Sequence, residues 1–197
     1  MKISTNKEQI ILASTSKTRK KILENYSVKI KCVKHRVNEE LEILKNENLK
    51  EKLAIFLAKK KIDSILDEYQ KNVIIGSDQI ILCKDRLINK PLTEEEAINN
   101  LLILQDSSHT LISAICVLTP DGQYQSFEDT AEVCMKKLSE AEIKKFVNTH
   151  KNIVYETTGS YKIEEDKLNC IKKTKGEKET ILGFPIKKIL PLLKMYY

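Results

Sequence analysis

Short apolar segments separated by polar turns predict a chain in which β-strands and α-helices alternate irregularly. Runs rich in β-branched residues, or with apolar residues at every second position, predict strands at 10–13, 28–33, 73–82, 109–118 and 124–138. Apolar residues at intervals of three and four predict helices at 17–26, 49–69, 93–104 and 139–148. The predicted caps are Ser16 for the first helix, and the capping boxes Thr93 with Glu96 and Ser139 with Glu142.

The remaining segments complete an α/β pattern. We expect a hairpin tip at Lys84-Asp85, and a hairpin that pairs 168–172 with a strand following 157–162. Pro191 should kink or break a helix that begins near Phe184. No repeat, low-complexity stretch or linker interrupts the sequence. We therefore expect one α/β domain over residues 1–197, with a mixed sheet flanked by helices and two lobes around a cleft.

The strand predicted at 73–82 carries the polar insert Gly76-Ser77-Asp78 between two apolar flanks. A strand with apolar flanks is usually buried, and a buried carboxylate is costly unless a partner or a cation stabilises it. Gly76 fits a bend or the close approach of another segment. Asp78 is therefore a candidate functional residue, although an edge strand whose polar residues face water explains the pattern equally well.

A hydroxyl-rich turn follows the first strand. Ser14 and Ser16 precede a helix start, where backbone N–H groups and the positive end of the helix dipole favour an anion. Arg19 lies in the first turn of that helix, where a cation is mildly unfavourable unless an anion also binds there. The simpler alternative is a surface arginine that points away from the helix end.

Three further charged positions are candidates on weaker grounds. Glu39 can open a helix or supply a hard oxygen ligand to a divalent cation. In the helix predicted at 49–69, periodicity does not decide whether Lys60 or Lys61 points to the apolar face, and a lysine run is usually solvated. Lys90 is held extended by the following proline just before a helix start, which suits a phosphate contact.

The composition indicates a globular protein and disfavours several classes. The chain has 41% hydrophobic residues, and no apolar run approaches the roughly 20 residues that a membrane helix needs. Residues 1–7 lack the apolar core of a signal peptide, and the five cysteines are scattered, so a reducing cytoplasm is expected without zinc or disulfides. The net charge of +6 comes mostly from lysine, without the arginine and interleaved aromatic residues typical of nucleic-acid binding. We expect neither a nucleic-acid nor a membrane partner.

Four short motifs follow one another along the chain: Leu12-Ala13-Ser14-Thr15-Ser16-Lys17-Thr18-Arg19, Ile75-Gly76-Ser77-Asp78, Asn89-Lys90-Pro91 and Gly183-Phe184-Pro185. In this order they resemble the Maf family of nucleotide pyrophosphatases, whose pattern includes Leu-Ala-Ser-x-Ser-Pro-x-Arg, Gly-x-Asp, Gly-Lys-Pro and Gly-Leu-Pro. The resemblance runs from about Ile10 to the C-terminus. It implies a Maf/ITPase-like fold, with a mixed, curved β-sheet flanked by helices and a substrate cleft between two lobes.

The resemblance implies that the chain hydrolyses a nucleoside triphosphate to the monophosphate and pyrophosphate with a divalent cation, Mg²⁺ or Mn²⁺. Asp78 falls on the residue taken as the family's proton acceptor, and Glu39 falls on an acidic residue near the metal. The basic residues that fall on phosphate-binding positions are Arg19, Lys61 and Lys90. Lys61 rather than Lys60 is thus the position that the family pattern selects.

Within the family, the chain looks most like the branch that acts on 7-methyl-GTP, whose activity would keep a modified nucleotide from incorporation. By position, the base-selecting residues are Thr18, Gln79 and Glu164. A carboxylate at Glu164 suits a guanine edge, because it can accept from N1–H and from the amino group. The glutamine more common in the dTTP/UTP branch offers a pyrimidine edge both a donor and an acceptor.

Two departures from the family pattern bear on the substrate. Thr18 stands where the 7-methyl-GTP branch has a tryptophan that would stack on the methylated base, and Glu165-Asp166-Lys167 replaces a glycine-rich turn. Two alternatives therefore stay open: a dTTP/UTP pyrophosphatase of the same family, or a non-catalytic basic module that binds nucleic acid or a division-related partner. Family members are often dimers, so the resemblance also allows a homodimer.

Overall fold

The structure, a computed structural model, describes residues 9–196, and the expectation that residues 1–7 hold no signal peptide lies outside them. Its strands are β1 (Ile10–Leu12), β2 (Ile30–Cys32), β3 (Ile74–Cys83), β4 (Arg86–Ile88), β5 (Ser108–Leu118), β6 (Tyr124–Met135) and β7 (Ile171–Lys175). They form one sheet in the order β2-β1-β3-β5-β6-β7, with β4 paired to β3. Strand β1 pairs in parallel with β2 and β3, whereas β3–β4 and β6–β7 are antiparallel. The predicted mixed sheet is confirmed.

Helices of very different length flank the sheet. They are α1 (Lys17–Asn25), α2 (Glu39–Asn46), α3 (Leu53–Asp63), α4 (Leu66–Tyr69), α5 (Glu94–Leu104), α6 (Glu140–Thr149), α7 (Lys151–Val154), α8 (Lys178–Ile181) and α9 (Leu190–Leu193). Single 3₁₀ segments occur at Glu47–Lys52, Thr158–Ser160 and Ile186–Lys188. The α/β class is as predicted, and no helix within residues 9–196 is both long enough and apolar enough to cross a membrane.

The two predicted capping boxes differ in the structure. At α6, the Ser139 hydroxyl accepts from the Glu142 N–H (3.3 Å) and the Glu142 carboxylate accepts from the Ser139 N–H (2.7 Å), which is a complete box. At α5, Thr93 caps the Glu96 N–H (3.2 Å), but the Glu96 carboxylate accepts from the Leu92 N–H (2.7 Å) instead. Both helix starts were correctly predicted, because both signals are local.

The single long helix predicted at 49–69 was wrong. A 3₁₀ segment precedes α3 and contains Lys50 with φ 43°, a backbone value that a continuous helix does not allow. A second break follows α3 at Ser64, whose hydroxyl donates to the Lys61 carbonyl (2.8 Å) and accepts from the Arg36 N–H (3.0 Å). The apolar spacing continues across both breaks, so spacing alone did not reveal them.

The hairpin expected between 168–172 and a strand following 157–162 was also wrong. Strand β7 pairs with β6 instead, and the segment before it forms turns. One of these turns is closed by the Asp166 carboxylate, which accepts from the Cys170 N–H (2.9 Å). Asp166 therefore stabilises the turn at which the family pattern expects glycines. The predicted interruption near Pro191 is confirmed, because α9 begins separately at Leu190 after a 3₁₀ segment.

The described chain divides into two compact units. The first contains residues 9–78, 113–129 and 183–196, and the second contains residues 79–112 and 130–182. Each has its own apolar core. Members of the first core include Ile11, Ala58, Ile62, Ile74 and Leu118, and members of the second include Ile81, Leu101, Leu111, Val133 and Val147. A single domain over 1–197, with a curved sheet and a cleft, stays a prediction.

The packing of α3 on β3 in the first unit positions the candidate lysine. A Cβ added at Gly76 would lie 2.0 Å from the Ala58 carbonyl oxygen and 2.9 Å from the Ile62 side chain, so only glycine allows this approach. The buried face of α3 is formed by Leu53, Ala54, Leu57, Ala58, Lys61 and Ile62. Close packing at Gly76 therefore brings Lys61 beside the next residues of β3, Ser77 and Asp78.

Candidate active site

Asp78 and Lys61 form a buried ion pair in the first unit. Asp78 is 7% exposed, Lys61 is 2% exposed, and the Lys61 ammonium contacts Asp78 Oδ1 directly. The ammonium also donates to the Ser77 carbonyl (3.3 Å). The alternative of a water-facing edge residue is wrong for Asp78, because β3 lies between β1 and β5 and the carboxylate is buried.

The structure separates Lys60 from Lys61, which helical spacing left undecided. Lys60 has a side chain that is 42% exposed, and its ammonium lies 3.7 Å from Glu42 Oε2. Lys61 lies on the buried face of α3 in the same row as Leu53 and Leu57. Only Lys61 of these two neighbours is in position to interact with the carboxylate of β3.

Glu39 adds a second carboxylate to the same ammonium. It is the first residue of α2, whose N-cap Asn38 accepts from the Leu41 N–H (3.2 Å). Glu39 Oε1 lies 2.8 Å from Lys61 Nζ and 3.2 Å from His35 Nε2. His35, Glu39, Lys61 and Asp78 therefore form a continuous chain of polar contacts.

The Arg19 side chain points into the first unit, and not away from the helix end as the alternative of a surface arginine required. Its Nη1 donates to the Ser77 carbonyl (2.7 Å) and its Nε donates to the Gly183 carbonyl (3.3 Å). The Ser77 hydroxyl donates to the same Gly183 carbonyl (3.2 Å). The guanidinium thereby joins the start of α1, the polar insert of β3 and the Gly183-Phe184-Pro185 motif.

The hydroxyls of the turn after β1 hold its backbone. The Ser14 hydroxyl accepts from the Ser16 N–H (3.2 Å), and the Ser16 hydroxyl accepts from the Arg19 N–H (3.3 Å). Ser14 is buried, whereas Ser16 and Thr18 are half-buried. The predicted N-cap is confirmed, and the phosphate-binding role of the two serines stays a prediction.

Burial and charge shift the pKa values of the cluster in different directions. Burial raises the pKa of Asp78, and the nearby Glu39 charge adds to this, while Lys61 and Arg19 oppose it. The His35 hydrogen bond and the Lys61 charge hold the pKa of Glu39 well below its usual range. Burial lowers the pKa of Arg19, which the charges of Asp78 and Glu39 partly offset. Asp78 is thus the carboxylate with the greater tendency to take up a proton.

The donor set fits a hard divalent cation of the Mg²⁺ type. Asp78 and Glu39 direct carboxylate oxygens at one point, now bridged by the Lys61 ammonium. Within residues 9–196, no group of three or more His, Cys, Asp or Glu side chains could hold a metal ion. Mg²⁺ is commonly bound by only one or two carboxylates together with substrate phosphates and waters, so two carboxylates suffice.

The other predicted site residues belong to the second unit. Gln79 begins that unit, directly after Asp78, and its Nε2 donates to the carbonyls of Thr180 (3.1 Å) and Ile181 (3.2 Å). Lys90 and Glu164 are exposed. The structure thus brings Ser14, Ser16, Arg19, Glu39, Lys61 and Asp78 together in the first unit, whereas Gln79, Lys90 and Glu164 are described within the second.

The loop that carries Lys90 is braced on both sides. Asn100 of α5 donates to the carbonyl of Asn89, the preceding residue (2.9 Å). Pro91, the following residue, is buried, and the Leu92 N–H is bound by Glu96. An exposed ammonium on a fixed backbone agrees with the extended loop predicted at this position.

Sequence reasoning missed two features of the cluster. His35 was not a candidate, because it follows β2 in an irregular segment and belongs to no motif. The carbonyls of Ser77 and Gly183, which orient the basic side chains, are backbone groups that carry no sequence signal. Only the position of Gly183 as the first residue of the fourth motif pointed to that segment.

The family profile and the sequence relatives each cover nearly the whole chain. A family profile described as Maf-like protein matches residues 9–196. A nucleoside triphosphate pyrophosphatase from Pelagibacter ubique is 30% identical over 95% of this chain and 98% of its own length. A dTTP/UTP pyrophosphatase from a Geobacillus species is 27% identical over 95% of this chain and 97% of its own. The solved Ham1 protein of Staphylococcus aureus is 13% identical, with a TM-score of 0.38, over 65% of this chain and 72% of that one.

Proposed function

The chain belongs to the Maf family, and on that premise we propose that it is a nucleoside triphosphate pyrophosphatase in which Asp78 is the catalytic carboxylate. The reaction class has the support of the family match and of curated relatives that carry this name. The observation that carries the assignment of the site is the buried Lys61 ammonium shared by Asp78 and Glu39 beside Arg19. Ion pairs of this kind are costly to bury. Groups whose pKa values are shifted by burial and by a charged partner, as those of Asp78 and Glu39 are, cluster at functional sites.

The basic residues act on the phosphates. A triphosphate carries about four negative charges, and its reaction depends mainly on positioning and neutralising them. Arg19 and Lys61 are held near one another by the Ser77 carbonyl, which accepts from both. When the triphosphate binds, its oxygens compete with Asp78 and Glu39 for the Lys61 ammonium. Ser14, Ser16 and Lys90 are further proposed phosphate contacts.

Asp78 takes the proton in the chemical step. A water oxygen bonds to the α-phosphorus, the bond from that phosphorus to the bridging oxygen breaks, and pyrophosphate leaves. The proton of the water passes to the Asp78 carboxylate and then to solvent. Burial supports this role because it raises the pKa of Asp78 and so strengthens it as a base.

Glu39 and Asp78 would hold the divalent cation. When bound, Mg²⁺ or Mn²⁺ supplies positive charge that neutralises the triphosphate oxygens and polarises the α-phosphorus. The chain's own residues do the rest: Lys61 and Arg19 orient the phosphates, and Asp78 moves the proton.

The preferred substrate that we propose is 7-methyl-GTP. The support is the identity of Gln79 and Glu164, since a carboxylate at position 164 can accept from both guanine donors. Backbone carbonyls bind the Gln79 amide through its nitrogen, which fixes the orientation of the side chain. Thr18 cannot stack on the base as an aromatic residue would, so we expect weak discrimination between methylated and unmodified GTP.

Hydrolysis of dTTP and UTP is the second candidate. Relatives from a Geobacillus species and from Acholeplasma laidlawii, 27% and 29% identical, carry the name dTTP/UTP pyrophosphatase. Glutamine is the residue expected at position 164 for this preference, and the chain has glutamate there. This difference makes the pyrimidine nucleotides the weaker of the two proposals.

A nucleotide panel tests both candidates. We would measure kcat/KM for 7-methyl-GTP, GTP, dTTP and UTP with Mg²⁺, using the wild type, Glu164→Gln and the control Glu165→Gln. The proposal predicts the highest value for 7-methyl-GTP, and a shift of Glu164→Gln towards dTTP and UTP by about 10-fold or more. Highest activity on dTTP or UTP in the wild type would overturn the guanine assignment and leave the reaction class intact.

The cellular compartment and the oligomeric state are also proposals. All five cysteines are free thiols in the structure, which supports a reducing compartment such as the cytoplasm. A homodimer is proposed from the family alone, and sedimentation velocity would test it.

A further inference from the structure

We infer that His35 is a positioning residue of the pyrophosphatase site, one that orients the Glu39 carboxylate towards Lys61. The inference rests on the function proposed above and adds a residue that lies in none of the four family-like motifs. Its basis is one juxtaposition: His35 Nε2 lies 3.2 Å from Glu39 Oε1, the same oxygen that lies 2.8 Å from Lys61 Nζ.

The chemistry of the two side chains determines which one donates the hydrogen bond. An ionised carboxylate only accepts hydrogen bonds, so the His35 Nε2 carries the hydrogen and donates it. The side chain of Glu39 is 42% exposed, and without a partner it could leave Lys61 for solvent. The imidazole is 21% exposed and lies in the segment that connects β2 to α2. A stiff, half-buried ring therefore restrains a flexible, half-exposed carboxylate.

The other ring nitrogen makes the contact testable. His35 Nδ1 is buried and has no hydrogen-bond partner among the described residues. The polar contact of the ring is therefore the one with Glu39, and a substitution at position 35 breaks no second hydrogen bond. A change in activity that follows removal of the ring should thus pass through Glu39.

The variants His35→Gln and His35→Asn carry the same amide group at different distances from the backbone. The side-chain nitrogen of glutamine occupies about the position of Nε2, whereas that of asparagine occupies about the position of Nδ1. We expect His35→Asn to lower kcat/KM by about 10- to 100-fold, the usual loss when the partner of an active-site ligand is removed. His35→Gln should stay near the wild type, as should the control Lys34→Ala, because Lys34 is an exposed neighbour.

A double-mutant cycle tests the contact between His35 and Glu39 without substrate or metal. We would measure urea unfolding, without metal, for the wild type, His35→Asn, Glu39→Ala and the double variant. A contact between the two side chains predicts a coupling of roughly 10-fold in the unfolding equilibrium constant. Additive effects would show that the side chains do not interact in solution and would overturn the inference.

The outcomes separate this inference from the proposed function. A wild type that hydrolyses nucleotides, with His35→Asn and His35→Gln equally active, overturns the role of His35 alone. A wild type that releases no pyrophosphate from any nucleotide overturns the proposed function and the positioning role with it. Rescue by glutamine, but not by asparagine, together with a non-additive cycle supports the inference.

Discussion

Replacing Lys61 by methionine should destabilise the protein far more than the same change at Lys60. The Lys61 ammonium is buried and contacts Asp78, Glu39 Oε1 (2.8 Å) and the Ser77 carbonyl (3.3 Å). Its removal leaves a buried carboxylate with no ammonium beside it. Breaking a buried pair in this way costs about 3–5 kcal/mol. For a chain of this size that is a fall in Tm of roughly 6–20 °C.

Lys60 is the matched control because it is the same residue one position earlier. Its ammonium lies 3.7 Å from Glu42, and its side chain is 42% exposed. Surface pairs of this kind contribute about 0–1 kcal/mol. Urea unfolding of the wild type, Lys60→Met and Lys61→Met at pH 7 measures the difference directly. Equal stability of the two variants would refute the buried pair as the organising interaction of the site.

The pH dependence of Lys61→Met provides an internal check. Without the ammonium, the pKa of Asp78 in the folded state should rise further above its value in the unfolded state. The buried carboxylate of the variant therefore carries its unfavourable negative charge only when the pH is above that raised pKa. As the pH falls through the folded pKa, Asp78 takes up a proton and the penalty disappears. The stability gap to the wild type should therefore narrow on acidification, and a gap that widens would contradict the explanation.

Two other stability predictions follow from buried groups. Gly76→Ala should lower the free energy of unfolding by at least about 2 kcal/mol in a urea titration, because the added Cβ would lie 2.0 Å from the Ala58 carbonyl oxygen. Gly122→Asn is the control. Gly122 has φ 83° and nothing within 4 Å of an added Cβ, so this substitution should lower the free energy of unfolding by less than about 1 kcal/mol. Burial lowers the pKa of His109 to about 4, so the unfolded chain binds a proton that the folded chain excludes, and stability should fall between pH 6.5 and 4 by up to about 3 kcal/mol. His109→Gln should lose this part of the pH dependence, and an unchanged slope would exclude His109 as its source.

Local signals predicted much of the secondary structure. Ser16, Thr93 and Ser139 each cap the helix that the sequence assigned to them, because a cap depends only on residues within one turn. The strand that contains Asp78 was predicted within one residue at each end. The partner of β7 was wrong, since strand pairing depends on distant residues that periodicity does not report.

The site required contacts that are far apart in the sequence. Arg19 turns inward because it binds carbonyls of Ser77 and Gly183, which lie 58 and 164 residues away. The residues alone favoured a surface arginine, and only the family resemblance indicated its importance. Lys60 and Lys61 are adjacent in the sequence. The close packing of α3 on β3 at Gly76 places Lys61, and not Lys60, beside Asp78. His35 belongs to no motif, so only the structure could reveal it.

The measurement that tests the central claim most directly is product release by the wild type and Asp78→Asn. Purified protein would be incubated with a saturating nucleotide and Mg²⁺, and pyrophosphate, orthophosphate and nucleoside monophosphate would be quantified. Asp85→Asn, at the exposed hairpin tip with φ 61°, is a matched control because asparagine tolerates that backbone conformation.

We predict equimolar pyrophosphate and monophosphate from the wild type and from Asp85→Asn, and a rate lower by about 10²-fold or more for Asp78→Asn, the contribution expected of a proton acceptor. An unchanged rate in Asp78→Asn would contradict the assigned role of the carboxylate. Release of orthophosphate in place of pyrophosphate, or no product from any nucleotide, would contradict the reaction itself.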